Sequence, residues 1–212
     1  AVVFLTTTSN PAARPVQPVQ PATPAVAQQE AKRETPEAQR APAVAPRDVV
    51  EQQERLRKSP LAADPKARGY LDAVDGGAAT PAQVNDFALL LTRRGYYQDA
   101  VAYQQWATKL DPKNPTLWIN RGTIHRSLDD QSAARSAYAR AIAIDPNNAY
   151  AHYDLGTVYE SQGKYDAAVA EYRTALAIDP RLGDPKFHPA VVVNDRMLAV
   201  NLLNYQSQSG AM

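Results

Sequence analysis

Small, aromatic and Asp-Pro positions recur along the second half of the chain at one fixed spacing. The Asp-Pro pairs that begin at Asp111, Asp145 and Asp179 are 34 residues apart, and each one closes a stretch of helical pattern. The residue before proline is pushed out of the helical region, and proline lacks a donor, so each pair predicts the end of a helix. A 34-residue period predicts a helix-turn-helix solenoid. The same spacing relates three further sets: Ala100, Ala134 and Ala168; Ala107, Ala141 and Ala175; and Gln104, Tyr138 and Tyr172.

The sizes of the recurring residues predict how the helices pack. Gly122 and Ala134 fall where the two helices of a hairpin must approach closely, and large residues such as Trp118 and Tyr138 fill the remaining space. A single hairpin cannot bury its apolar face, so we expect at least three hairpins to stack into one continuous core. Thr80-Pro81 and Asn114-Pro115 predict helix starts, each with an N-cap residue followed by a proline.

These positions resemble the tetratricopeptide repeat (TPR) family. Residues 149–180 match it best, residues 115–148 carry His125 and Asp129 where Tyr and Gly are usual, and residues 81–114 match it least. The resemblance implies an all-α, TPR-type solenoid of about three repeats that binds other proteins. The matching residues of the best repeat are Leu155, Gly156, Tyr159, Gly163, Tyr165, Ala168, Tyr172, Ala175 and Pro180.

The segments that flank the repeats differ from them in composition. Residues 1–46 carry eight of the 17 prolines and no glycine, which predicts an extended Pro/Ala/Gln-rich arm. Residues 47–80 predict short helices, the first capped by Asp48, that form either a degenerate repeat or an N-terminal cap. Residues 181–212 predict a loop, including a short extended run at 191–193, followed by a helix that caps the open end of the solenoid.

The apolar start of the chain, Ala1 to Leu5, permits two interpretations. It is either a trimmed terminus or the trailing edge of a signal sequence or membrane anchor upstream of Ala1, although five residues are far fewer than the roughly 20 that span a bilayer. The second interpretation predicts a periplasmic, membrane-associated protein, with a cytoplasmic one as the alternative.

The composition and the motifs argue against nucleic-acid binding, metal binding and catalysis. A formal net charge of +1 does not favour nucleic-acid binding, and the absence of cysteine excludes disulfides and thiolate sites. No metal-binding, phosphate-loop or nucleophile motif is present. We therefore expect no catalytic or metal-ligating residues, no cofactor and no small-molecule substrate. A hydrolase that uses His188 remains an alternative, and it predicts a pocket with a carboxylate within hydrogen-bond reach of that histidine.

The family resemblance implies a groove lined by the first helix of each repeat. Some family members hold the C-terminal carboxylate of a chaperone there, but Leu89, Tyr150 and Asp154 stand at positions where that mode requires other groups, several of them cations, so we do not expect it here. A helix or an extended segment fits the mixed surface better. The predicted groove residues are Asn85, Leu89, Arg93, Ile119, Asn120, Thr123, Arg126, Tyr150, Tyr153, Asp154, Thr157 and Glu160.

The final helix offers a competing interface through Leu198, Leu202 and Tyr205. The sequence thus predicts a non-catalytic protein-binding scaffold, a subunit of a larger envelope- or membrane-associated complex whose partners are other protein subunits. The alternative is a free adaptor that binds a peptide or helix reversibly in the groove.

Overall fold

The computed structural model describes residues 45–77, 79–188 and 194–208, with side chains described up to residue 201. This part of the chain is helical and contains no strand, which confirms the all-α prediction. The predicted arm, apart from residues 45 and 46, and the extended run at 191–193 lie outside the described residues. The helices are α1 Arg47–Arg57, α2 Pro65–Asp75, α3 Pro81–Arg93, α4 Tyr97–Leu110, α5 Pro115–Ser127, α6 Gln131–Ile144, α7 Ala149–Ser161, α8 Tyr165–Ile178 and α9 Asp195–Gln208, with short 3₁₀ turns at Pro60–Ala63 and Pro180–Gly183.

Side-chain caps fix where several helices begin. Thr80 and Gln83 form a reciprocal capping box at the start of α3, and the side chain of Asn114 accepts a hydrogen bond from Thr116 at the start of α5. Both predicted starts are therefore confirmed. The expected cap at Asp48 is wrong, because α1 starts two residues earlier than that cap implies, after Pro46, and Asp48 lies in its first turn.

Helices α3 to α8 form three hairpins that stack side by side. Within the second hairpin, a Cβ added at Gly122 would lie 2.6 Å from the ring of Tyr138, and within the third the same holds for Gly156 and Tyr172. Both rings are fully buried. The absence of a side chain on each glycine thus makes room for the aromatic ring of the paired helix, as the sequence pattern predicted.

The hairpin α1–α2 covers the first repeat without continuing the repeat pattern. Tyr70 of α2 stacks on Phe87 of α3 at 5.5 Å, and Phe87 meets Tyr103 of α4 edge-on at 4.8 Å. Helix α1 contacts α4, and Arg55 of α1 forms an ion pair with Asp99 of α4. Between neighbouring repeats, by contrast, the first helix of one repeat contacts the first helix of the next. The hairpin therefore covers the end of the first repeat, but its helix contacts differ from those between successive repeats.

Helix α9 covers the other end. The Asn194 side chain accepts a hydrogen bond from the Met197 N–H at 2.8 Å, which caps the helix. Met197 and Val200 are buried in one cluster with Tyr172 and Leu176. Among the described helices, none combines the length and the hydrophobicity that crossing a bilayer would need.

Candidate functional site: the groove face of the repeats

The groove face is the surface formed by α3, α5 and α7, the first helices of the three repeats. Helix α5 lies between the other two and contacts both. Residues spaced by three or four along a helix share one side, so the predicted residues of each helix fall on a common stripe. The contacts described below show which of them are accessible and which are engaged within the chain.

An amide network lies at the first-repeat end of the groove face. Asn85 is only 8% exposed, and its Oδ1 accepts hydrogen bonds from Gln104 Nε2 at 3.1 Å and from Asn120 Nδ2 at 2.7 Å. Gln104 Nε2 also donates to the carbonyl of Leu117 at 2.8 Å. Asn85, predicted as a groove contact, instead joins α3, α4 and α5, while Asn120 remains partly exposed.

The middle of the groove face is half-buried and mostly neutral. Leu89, Ile119 and Thr123 are each partly exposed. Thr123 Oγ1 donates to the Ile119 carbonyl at 3.1 Å and lies 3.2 Å from the hydroxyl of Tyr138, so the core tyrosine reaches this surface. At the end of α3, Arg93 is exposed and has no ion pair or hydrogen bond with any described residue.

Arg126 links the second repeat to the third. Its Nη1 donates to Thr157 Oγ1 at 2.7 Å and to Asp154 Oδ1 at 3.3 Å. The Asp154 side chain is 19% exposed. Burial raises the pKa of Asp154 to about 6, against the opposing effect of the Arg126 charge. These three predicted groove residues are therefore brought together, in a cluster that is already paired within the chain.

The chain's own C-terminal segment occupies the third-repeat end of the groove face. Tyr153 is 8% exposed because the His188 ring packs edge-on against it at 4.6 Å. Glu160 accepts a hydrogen bond from the Tyr172 hydroxyl at 2.7 Å and is ion-paired with Arg196. Tyr153 and Glu160 are thus engaged inside the chain, contrary to their expected role as open groove contacts. Tyr150, one helical turn before Tyr153, is 54% exposed.

Helix α9 is the competing interface predicted from the sequence. Leu198 is partly buried and packs against the cluster that contains Tyr172 and Met197. The side chains of Leu202 and Tyr205 lie outside the described residues. At its start, α9 is fixed to the third repeat by Asn194, which donates to the Tyr172 hydroxyl at 2.9 Å, and by Arg196, which lies 3.8 Å from the Tyr165 ring centroid.

The three histidines occupy structural positions. Burial, the largest single effect, lowers the pKa of His152, but the 2.6 Å hydrogen bond to Glu171 and the charge of that carboxylate, together with the Pro146 carbonyl and the charge of Asp145, raise the pKa overall. Burial, followed by the charge of Arg121, lowers the pKa of His125. His188 contacts Tyr153, and its Nδ1 is buried without a hydrogen-bond partner among the described residues. The described part of the chain therefore places no carboxylate on this nitrogen, as the hydrolase alternative would require. In the described chain, no three His, Asp or Glu side chains group closely enough to hold a metal ion.

Comparisons with known families agree with this geometry. A TPR repeat model matches residues 122–163, and a tetratricopeptide repeat model matches residues 149–182. The chain is a TPR protein. The first match includes the pair Gly122 and Tyr138, and the second includes the pair Gly156 and Tyr172. At both pairs the two helices of a hairpin approach closely.

Solved structures of MamA have a fold similar to that of this chain. Two crystal structures of MamA are 20% and 21% identical, with TM-scores of 0.55 and 0.54; they cover 77% and 69% of this chain, and the alignments span 93% and 90% of the MamA chains. The first TPR of Spaghetti (RPAP3), solved bound to the HSP90 peptide SRMEEVD, is 21% identical with a TM-score of 0.48 over 63% of this chain and 94% of that one. A search of curated proteins gave no match.

The TPR fold is in general a non-catalytic, protein-binding fold, which supports a role as a scaffold or adaptor. The sequence pattern placed the first helices correctly and predicted a C-terminal capping helix, but it did not indicate that the C-terminal segment contacts the groove residues Tyr153 and Glu160. His188, Asn194 and Arg196 fall after the last Asp-Pro pair, outside the period, so no register related them to Tyr153, Tyr172 and Glu160.

Proposed function

We propose that this TPR protein is a non-catalytic adaptor that holds a segment of another protein on the groove face, over α3 and α5. The proposal rests on one observation. The third-repeat end of the face is filled by His188 and Arg196, whereas the face of α3 and α5 keeps exposed polar groups. These accessible residues are Asp86, Arg93, Thr116, Arg126 and Ser127.

The chemistry of this surface favours reversible binding. Permanent interfaces have an apolar core. The large apolar side chains that are exposed among the described residues belong to α1, α4, α7, α8 and the segment before α9, and none of them belongs to α3 or α5: Val50, Tyr97, Tyr150, Tyr165 and Phe187. The groove face itself is mostly polar, with Leu89 and Ile119 half-buried. A modest, polar interface of this kind suits a partner that binds and leaves.

A second candidate function is a scaffold subunit of an envelope- or membrane-associated complex. It is favoured by the proline-rich residues 1–46 and the apolar start at Ala1 to Leu5. Fractionation of cells that express the full gene tests this candidate. Recovery in a periplasmic or membrane fraction supports it, and recovery in the cytoplasmic fraction contradicts it.

The absence of cysteine allows a direct test of the groove face. Thr116→Cys and Ser127→Cys place single thiols on the exposed side of α5, and Lys113→Cys and Ser136→Cys serve as exposed controls outside this face. Each full-length variant is labelled with a short photo-cross-linker and exposed to native extract. We expect one discrete cross-linked protein from the α5 variants and none from the controls. Equal labelling from all four positions would contradict the groove assignment.

A further inference from the structure

A cavity opens between α2 and α3, beside the first-repeat end of the groove face. One part, with a volume of ≈ 660 Å³, is lined by Asp64, Pro65, Lys66, Leu90, Arg93 and Arg94. A second part of ≈ 580 Å³ shares several of these residues and adds Leu61 and Tyr96. The cavity therefore combines three cations and one anion with an apolar wall.

The charges in the cavity are arranged asymmetrically. Asp64 is used by the chain itself, since its carboxylate caps α2 through the Lys66 and Ala67 N–H groups and pairs with Arg94 at 2.6 Å. Arg94 is held in place by that pair. The side chains of Lys66 and Arg93 are exposed and have no ion pair or hydrogen bond with the described residues. One carboxylate thus faces three cations, and two of those cations are free to bind another anion.

We propose that this cavity binds an acidic segment of the partner protein, with adjacent Asp or Glu side chains contacting Lys66 and Arg93 and a neighbouring apolar side chain against Leu90 and Tyr96. The inference rests on the adaptor function proposed above. Arg93 belongs to both the groove face and the cavity, so a segment that lies along α3 and α5 continues into it. The cavity lies where the hairpin that precedes the repeats meets the C-terminal end of α3, the helix that also carries Asn85 of the amide network.

Charge complementarity favours a peptide carboxylate. The guanidinium of Arg93 can hold a carboxylate with two hydrogen bonds, and the ammonium of Lys66 adds a second charged donor. The apolar wall contributes only if the anion is attached to an apolar neighbour, which a peptide supplies and a free inorganic anion does not. The attraction between exposed charges weakens as salt is added, because screening shortens its range.

Matched peptides test the proposal on the full-length protein. The probe is a fluorescein-labelled peptide with the sequence Leu-Leu-Glu-Glu repeated twice, compared with the same peptide carrying Gln for Glu. Fluorescence polarisation measures binding to the wild type, to K66A/R93A, and to K113A/R173A, which removes one exposed Lys and one exposed Arg away from the cavity. Circular dichroism checks that each variant is folded.

We expect the wild type to bind the Glu peptide, and to bind the Gln peptide at least about tenfold more weakly, because charged hydrogen bonds are lost. K66A/R93A should lose a similar factor for the Glu peptide, while K113A/R173A, with the same net charge, should change by less than about twofold. Equal losses in the two double variants would mean a long-range effect of net charge and would overturn the proposal. So would binding that does not distinguish Glu from Gln.

Displacement of the bound peptide by phosphate distinguishes a site for a peptide from a site for a free anion. Sodium phosphate that displaces the Glu peptide far better than sodium chloride of the same ionic strength contradicts the peptide assignment. The cross-linking experiment on α5 is independent of Lys66 and Arg93. If cross-links at Thr116 and Ser127 persist while the peptide test fails, the adaptor function stands without the acidic-segment site.

Discussion

The first repeat and the two that follow it fill the same space between their helices in different ways. In the second and third repeats, glycine leaves room for a buried tyrosine ring, as in the pair Gly122 and Tyr138. In the first repeat the equivalent residues are Ala88 and Gln104, both fully buried. The glutamine amide hydrogen-bonds with Asn85 and with the Leu117 carbonyl where the other repeats have an aromatic ring.

The difference shows how a buried side chain can be linked to the surface of the next repeat. A tyrosine ring stabilises a hairpin mainly through burial and packing. The Gln104 amide instead connects, through Asn85, to Asn120 on the groove face of the next repeat. In the first repeat, hydrogen bonds thus connect the buried Gln104 to the groove face. In the third repeat, the buried Tyr172 is connected to the groove face through Glu160, which pairs with Arg196 of the C-terminal segment.

Removing the ring from the second repeat should give the largest effect. Tyr138→Ala leaves a large cavity under Gly122, and we expect it to lower the free energy of unfolding by about 3–5 kcal/mol. Tyr138→Phe keeps the ring and loses the contacts of the hydroxyl with Thr123 and Arg126, so it should cost about 1 kcal/mol. Urea denaturation followed by circular dichroism measures both. Similar losses in the two variants would mean that the hydroxyl, and not the packing of the ring, stabilises the hairpin.

Adding a methyl group opposite the ring should have the next largest effect. Gly122→Ala places its Cβ against Tyr138, so we expect a net loss of about 1–2 kcal/mol after the gain in helix propensity. Gly69→Ala is the matched control, because an added Cβ there meets nothing within 4 Å and the residue lies inside α2. The control should gain about 0.5–1 kcal/mol. Thermal melts that move in the same direction for both variants would contradict the close approach.

Converting the first repeat to the Gly-Tyr arrangement tests whether residues 88 and 104 share one space between the helices. Gln104→Tyr alone should overpack Ala88 and cost about 1–3 kcal/mol. Ala88→Gly alone should cost about 1 kcal/mol. The double variant should be more stable than the sum of the single effects predicts, by about 1 kcal/mol in a double-mutant cycle. Additive effects would show that the two positions do not share one space.

The smallest expected effect is a difference in pH dependence between the second and third repeats. The pKa of His152 is raised in the folded state, so its stabilising contribution is full below about pH 6.5 and is lost as the pH rises through the folded pKa. The pKa of His125 is lowered, so protonation below about pH 6.5 destabilises the fold.

The two histidines should therefore respond to pH in opposite directions. From about pH 8.5 to about pH 5.5, the wild type should gain stability relative to H152Q and lose stability relative to H125Q. Urea denaturation at both pH values measures these differences. A change of the same sign for both variants would contradict the assigned hydrogen bond between His152 and Glu171.

The sequence predicted the helices better than it predicted which groove residues are accessible. The spacing of Gly122 and Tyr138 and the caps at Thr80 and Asn114 are local or periodic signals, and the structure agrees with them. The burial of Tyr153 depends on His188, which lies 35 residues later and outside the repeat. Such pairings follow from how the last segment packs, and no short-range pattern encodes them.

The proposed adaptor function requires that a partner binds the groove face of α3 and α5. Hydrogen exchange of the full-length chain, alone and in the complex isolated by cross-linking, tests it most directly. We predict slower exchange of amides in 81–93 and 115–127 in the complex, with little change in 131–144 and 195–208. Slower exchange confined to 195–208 would place the interface on α9 and contradict the claim.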